Sequence, residues 1–172
     1  ETNGVYEKKT NQELNDYSDL VTLTNTFTNS TNSAFPSAIS ALIDVEQWIR
    51  YFAVETILSN HDGCIATNVG EDYFIYHRPS DLKWVILPWD QNETFRDPED
   101  DLFRMSVDAV ERLVTHPAFE PIYYDQLIEL LDGPFQTTVM DRQIDSVRFA
   151  FAALELDQVE GFVPAAETTL RG

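Results

Sequence analysis

The sequence has almost no sulfur available for cross-links or metal cages, because its 172 residues include a single cysteine, Cys64. One thiol cannot close a disulfide within the chain, and it cannot supply the several thiolates of a cysteine-based zinc site. Uninterrupted apolar runs of about 20 residues, the length of a membrane-spanning helix, are also absent. The sequence therefore excludes a disulfide scaffold and predicts a soluble chain without membrane insertion.

Positive charge is scarce. The chain carries 11 Lys and Arg residues against 30 Asp and Glu residues, which gives a formal net charge of −19. So acidic a surface repels nucleic-acid backbones and anionic lipid headgroups, so we expect no nucleic-acid partner. For the same reason, a phosphate-bearing ligand would need a cation beside it in order to bind.

The chain also lacks the glycine-rich motifs that surround nucleotide phosphates. Its six glycines are scattered and form neither a G-x-G-x-x-G sequence nor a P-loop, and its only lysines are Lys8, Lys9 and Lys83. No residues that would hold a nucleotide directly can be named from the sequence. A self-contained ATP cradle is therefore not predicted.

Apolar residues, in contrast, are plentiful. They make up 43% of the chain and include 12% aromatics, which is enough to fill one core, so residues 1–172 are predicted to form a single domain with a mobile end at 161–172. Apolar residues at helical spacing predict five helices, over residues 14–28, 45–57, 107–114, 119–130 and 140–154. The polar stretch 28–33 is predicted to be a loop. Asp44 and Gln47 are expected to form an approximate capping box at the second helix.

A β-hairpin is predicted between the second and third helices. Two short runs rich in β-branched and aromatic residues, 73–76 and 84–87, are joined by a segment that contains Pro79, Ser80 and Asp81. The predicted fold class is therefore α+β and mainly helical, with one hairpin.

Acidic and carboxamide side chains flank this hairpin on both sides. They are Asp62, Asn68 and Asp72 before the first strand and Asp90, Asn92 and Glu93 after the second. A hairpin folds its two ends toward each other, so oxygen ligands suited to a hard cation such as magnesium would meet at one edge. The alternative is that these residues are ordinary turn-forming and capping residues, which Asp and Asn commonly are.

Other site chemistries fit less well. The segment from Asp90 to Asp101 has the length of a calcium loop, but Phe95 stands where that loop needs glycine. Asp62 with Asp90 or Glu93 could form a glycosidase carboxylate pair, which requires a separation that the sequence does not fix.

Several segments resemble the spore-coat-protein-H (CotH) kinases, a family of atypical secreted or envelope-associated protein kinases. The similar segments lie at residues 6–11, 17–20, 43–54, 60–63, 72–76, 87–92 and 117–131. The most specific is Leu-Pro-Trp-Asp-Gln-Asn at 87–92, which is similar to the family's Pro-Trp-Asp-x-Asp/Asn signature. The resemblance implies an atypical protein-kinase-like C-terminal lobe whose hairpin carries the site.

The resemblance also implies roles for individual residues. Asp62 would be the catalytic aspartate that orients or deprotonates the acceptor hydroxyl, and Asp90 would bind magnesium. The family commonly has an Asn before the first strand; here that place is held by Asp72, with Asn68 nearby, and both are candidate metal ligands. Asn92 is a further candidate. The implied cofactors are ATP and Mg²⁺, with Mn²⁺ or Ca²⁺ as alternative ions.

The resemblance finally implies a partner and a location. The expected activity is transfer of phosphate to Ser or Thr of a protein substrate, outside the cell or in its envelope. An N-terminal lobe with a phosphate-contacting Lys is expected upstream of Glu1 or on a companion fragment. The alternative hypothesis is a noncatalytic kinase-like adaptor of the envelope or extracellular matrix that binds calcium.

Overall fold

The computed structural model describes residues 6–61, 72–103 and 105–153, with side chains described as far as residue 150. This part of the chain is mainly helical and holds one two-stranded antiparallel sheet, so the predicted α+β class is confirmed. The elements are a short 3-10 helix Gln12–Leu14, α1 Ser18–Asn29, α2 Phe35–Leu42, α3 Val45–Ile57, β1 Tyr73–Arg78, β2 Lys83–Pro88, α4 Asp108–Thr115, α5 Glu120–Asp132 and α6 Thr137–Ala153. Asp62, Cys64, Asn68 and residues 161–172 lie outside the described residues.

The core is built around α3, which packs against α5. Apolar residues recur along α3 at helical spacing, and Ile49, Phe52 and Ala53 are almost completely buried. On α5 the fully buried Tyr123 hydroxyl bonds Thr56 Oγ1 at 2.8 Å and the Leu102 carbonyl at 2.7 Å, so its polar end is satisfied. Each large apolar side chain buried in this way contributes about 1.5–3 kcal/mol.

The hairpin is attached to the start of α3 through β2. Asp44 N–H donates to the Trp84 carbonyl at 3.1 Å, and the Trp48 ring N–H donates to the same oxygen at 2.9 Å. The Gln47 carboxamide then pairs with both backbone groups of Ile86, at 2.6 and 3.0 Å, as a neighbouring strand would. These bonds satisfy the outer edge of β2 and fix the hairpin on the helical core.

The predicted capping box at α3 is wrong. Asp44 does occupy the N-cap position with an extended backbone, but its side chain makes no capping hydrogen bond. It instead accepts a hydrogen bond from Arg78 at 3.0 Å, while Gln47 bonds Ile86. Both side chains have partners on the hairpin, and these tertiary contacts replace the local pairing that the sequence predicts.

The predicted helices and hairpin are present, with differences at their ends. The first helix begins at Ser18 rather than at residue 14 and continues to Asn29. Residues 28 and 29 of the predicted loop 28–33 are therefore helical, and the observed loop spans residues 30–34. Helix α2 is not predicted, because its eight residues are too few to display a clear helical period.

None of the described helices has the length and apolar character that crossing a membrane requires.

Candidate functional site

The base of the hairpin brings together two of the predicted site segments. Tyr73 pairs with Pro88 at the last ladder position, and Trp89 N–H then donates to the Asp72 carbonyl at 3.0 Å. Asp72 and Asp90 are therefore near neighbours across the hairpin base. This confirms that the hairpin folds its two ends toward each other, for the members that the structure describes.

Both aspartates have an unusual backbone. The φ angle is 60° at Asp72 and 44° at Asp90, in the left-handed region. A residue with a Cβ pays about 1–2 kcal/mol for this conformation, although Asp and Asn tolerate it better than most. Surrounding contacts must hold such residues in place, and positions of this kind are common at ligand-binding sites.

A buried polar network supplies these contacts next to Asp90. Gln91 Nε2 donates to the Trp89 carbonyl at 3.3 Å, and Gln91 Oε1 accepts from Asn60 Nδ2 at 3.1 Å. Asn60 is completely buried, and its Nδ2 also donates to Glu55 Oε2 at 2.7 Å. Gln91 is thus bonded to Asn60 in the turn after α3, and Trp89 is bonded to Gln91 and to Asp72. The Asp90 side chain between them is exposed to solvent.

The turn after α3 also runs beside the segment that follows the hairpin. Three backbone bonds join them: His61 N–H to Glu93 O at 3.1 Å, Phe95 N–H to Leu58 O at 2.5 Å, and Arg96 N–H to Ser59 O at 3.4 Å. His61 immediately precedes Asp62 in the sequence, and Glu93 lies three residues after Asp90. The fold therefore places the chain neighbour of Asp62 against the segment that carries Asp90.

A cleft of about 370 Å³ opens at this junction and is lined by His61, Glu93, Arg96 and Asp97. Arg96 forms an ion pair with Glu93, so the lining carries both signs of charge. The cleft is the solvent-accessible hollow beside the predicted catalytic turn, and it has room for a small group such as a side chain.

The predicted metal ligands divide into two groups. Asp72, Asp90 and Asn92 are described, with Asp90 and Asn92 exposed and Asp72 half-buried, whereas Asn68 lies outside the described residues, as does Asp62. Within the described residues, no three His, Cys, Asp or Glu side chains cluster closely enough to hold a metal ion. Magnesium in nucleotide sites usually takes only one or two protein carboxylates, with water and phosphates as its other ligands. The donor types at the hairpin base fit that requirement.

Sequence reasoning missed the residues that hold the site together. Glu55 carried a usable signal, because a carboxylate on the apolar face of α3 predicts a buried polar partner. Asn60 and Gln91 resemble ordinary turn residues in the sequence, and their mutual contact spans 31 positions. No local pattern could have identified that pair.

Comparison with known proteins shows similarity to a protein family and to a curated protein. A profile of the family described as "CotH kinase protein" matches residues 1–157. The chain is also 26% identical over 151 residues to the inner spore coat protein H of Bacillus subtilis (strain 168). That alignment covers 81% of this chain and 39% of the relative, so the chain spans well under half the length of the curated protein it matches.

Proposed function

The chain belongs to the CotH kinase family, and on that premise we propose that it supplies the catalytic and metal-binding lobe of an ATP- and magnesium-dependent protein kinase. The observation that carries the proposal is the meeting of two segments. The turn leading to Asp62 and the segment leaving Asp90 are joined by backbone hydrogen bonds and by the Asn60–Gln91 contact. Phosphoryl transfer depends chiefly on such positioning and on neutralisation of charge.

Asp90 is the proposed principal magnesium ligand. Its side chain is exposed, and the residues on either side of it are held by hydrogen bonds, so the carboxylate is available while its backbone is fixed. Asp72 lies across the hairpin base from Asp90, and Asn92 lies two residues after Asp90 in the sequence. Both are proposed as additional oxygen ligands, with Asn68 as the alternative to Asp72. Bound magnesium would neutralise phosphate charge that a chain of net charge −19 otherwise repels.

Asp62 is the proposed catalytic residue, which orients or deprotonates the acceptor hydroxyl of a Ser or Thr in a protein substrate. The position of His61 supports this role: His61 immediately precedes Asp62 in the sequence and lines the 370 Å³ cleft. An acceptor side chain entering that cleft would approach from the side of the Asp90 segment. Substrate and metal would then lie beside the junction of the two segments.

The curated relative suggests where the protein works and what else it needs. That relative is named an inner spore coat protein, which supports a coat or envelope location for this chain. Because the match covers 39% of the relative, we propose that the residues that enclose the nucleotide lie in another part of a longer protein or on a companion fragment.

Titration calorimetry with Mg-ATP on the longest form of the protein that its gene encodes tests the metal role. We expect Asp90→Ala to weaken binding at least tenfold, because it removes the proposed principal magnesium ligand. Asp101→Ala is the matched control: it removes an exposed carboxylate from the acidic loop after the site and should bind normally.

Two results would contradict the proposal: wild-type protein that binds no Mg-ATP, or an Asp90→Ala variant that binds it as wild type does. If calcium raised the unfolding temperature while Mg-ATP left it unchanged, the noncatalytic adaptor would be the better hypothesis.

A further inference from the structure

Arg96 places a positive charge in the cleft at the junction. Of the Lys and Arg residues that the structure describes, it is the one that lines this hollow, with His61, Glu93 and Asp97. Its side chain is exposed and forms an ion pair with Glu93, three residues earlier on the same segment. Positive charge is scarce in a chain with 11 Lys and Arg against 30 Asp and Glu, and a guanidinium at this place is suited to an anionic ligand.

The backbone at Arg96 is held although its side chain is exposed. Phe95 N–H donates to the Leu58 carbonyl at 2.5 Å, and Arg96 N–H donates to the Ser59 carbonyl at 3.4 Å. Phe95 has a φ of 59°, which is uncommon for a bulky residue and needs such contacts to hold it. The guanidinium therefore extends into the solvent from a fixed point of the chain.

The fold also brings Arg96 back toward Asp90. Gln91, the residue after Asp90, bonds Asn60 through its side chain at 3.1 Å, and Arg96 bonds the Ser59 carbonyl. Ser59 and Asn60 are consecutive, so their Cα atoms are about 3.8 Å apart. The stretch from Gln91 to Arg96 thus begins and ends beside the same two residues. A ligand at this junction would meet an exposed carboxylate suited to a metal ion and an exposed guanidinium suited to a phosphate.

We propose that Arg96 binds the terminal phosphate of the nucleoside triphosphate. This inference rests on the proposed kinase function. A guanidinium presents a planar set of N–H donors that matches phosphate oxygens, and hydrogen bonds between charged partners are stronger than those between neutral ones. The ion pair with Glu93 is partly exposed, and such pairs contribute little, so a phosphate replaces Glu93 as the partner of Arg96 at small cost.

The terminal phosphate, rather than another part of the nucleotide, follows from the place of Arg96 in the cleft. The acceptor side chain is proposed to enter the same 370 Å³ hollow, so the phosphate beside Arg96 is the one that faces the acceptor. Magnesium held by Asp90 and the guanidinium of Arg96 would then share the neutralisation of phosphate charge that a chain of net charge −19 otherwise repels.

Mg-ATP and Mg-ADP differ in the terminal phosphate, so a comparison of their affinities isolates this contact. Titration calorimetry uses the longest form of the protein that its gene encodes. We expect Arg96→Ala to weaken Mg-ATP binding about 10- to 100-fold and to leave Mg-ADP binding within twofold of wild type. Arg96→Lys, which keeps the charge without the planar donors, should lie between the two. Asp90→Ala should weaken binding of both nucleotides.

Arg142→Ala is the matched control. It removes an exposed Arg from α6 and changes the net charge by the same amount, so both nucleotides should bind it as they bind wild type. The unfolding temperature of each variant checks folding, and if Arg96→Ala is unfolded, the ratio of the two affinities in Arg96→Lys decides the question.

Glu93→Gln tests the exchange of partners. We expect this variant to keep or strengthen Mg-ATP binding, because the guanidinium no longer has to leave a carboxylate. A loss as large as that of Arg96→Ala would mean that the ion pair is structural and would overturn the proposal. Equal losses for ATP and ADP in Arg96→Ala, or no loss for either, would also overturn it. Wild-type protein that binds neither nucleotide would remove the proposed kinase function itself, whereas normal Mg-ATP binding by Arg96→Ala would remove only the role of Arg96.

Discussion

The two ends of the hairpin are both acidic but use their carboxylates differently. At the turn, Arg78 donates to Asp81 at 2.9 Å and to Asp44 at 3.0 Å. The hydrogen bond from the Arg78 guanidinium lowers the pKa of Asp81 to about 2. The same hydrogen bond is the main reason why the pKa of Arg78 is raised. At the base, no Lys, Arg or His within residues 6–61, 72–103 and 105–153 forms an ion pair with Asp90.

The difference separates carboxylates that serve the fold from one that is available to a ligand. Each carboxylate at the turn already has a cation, so it has little to offer a metal ion. Asp90 combines solvent exposure, a left-handed backbone and a neighbour, Gln91, that is bonded to the buried Asn60. A carboxylate with a held backbone and no ion-pair partner among the described residues is suited to a cation site, which is why the base and not the turn is the candidate site.

The largest effect is expected when Asp62, the proposed catalytic residue near the hairpin base, is replaced. Asp62→Asn should keep Mg-ATP affinity and lower the rate of phosphate transfer by about 10²–10⁴-fold, the usual contribution of a general base. Radiolabel transfer to a protein substrate measures the rate, and calorimetry checks the affinity. Normal turnover in this variant would remove Asp62 from the mechanism.

The buried network at the base offers the next largest effect. Asn60→Ala deletes the hydrogen bonds to Glu55 and Gln91 and leaves the Glu55 carboxylate buried with fewer partners. We expect a loss of about 1–3 kcal/mol in the free energy of unfolding, measured by urea denaturation. Gln143→Ala, an exposed change on α6, should stay within about 0.5 kcal/mol of wild type. A similar small change for Asn60→Ala would mean that the network does not support the site.

The helices and the hairpin can be predicted from the sequence, whereas the contacts between residues far apart in the sequence cannot. Periodicity locates α3, α5 and the hairpin, because each repeats an apolar pattern within a few residues. The same pattern cannot show that Gln47 pairs with β2 instead of capping α3, since that choice depends on a strand 39 positions away. The proximity of Asp72 and Asp90 follows from the hairpin alone, whereas the Asn60–Gln91 contact joins residues 31 positions apart and has no local sequence signal.

A smaller effect is expected at the turn. Arg78→Ala removes both ion pairs, which are partly exposed and weakened by solvent, so it should lower the free energy of unfolding by less than Asn60→Ala does. Mg-ATP affinity and phosphate transfer should not change, because the turn lies at the opposite end of the hairpin from Asp72 and Asp90. Loss of nucleotide binding in Arg78→Ala would show that the two ends are coupled and would break the distinction between them.

The smallest effect is the pH dependence of the same turn. Asp81 has a pKa of about 2 in the folded chain, against about 3.9 when unfolded, so its ion pair stabilises the fold above pH 4. That contribution declines as the pH falls from about 4 through 2. The unfolding temperatures of wild type and Asp81→Asn should therefore differ most near pH 5 and converge near pH 2. In an Arg78→Ala background the difference should be smaller and less dependent on pH, because the main cause of the lowered pKa of Asp81 is gone and only the weaker influence of Lys83 remains. A difference that persists with Arg78 removed would mean that the turn carboxylate, like Asp90, does not depend on an ion pair.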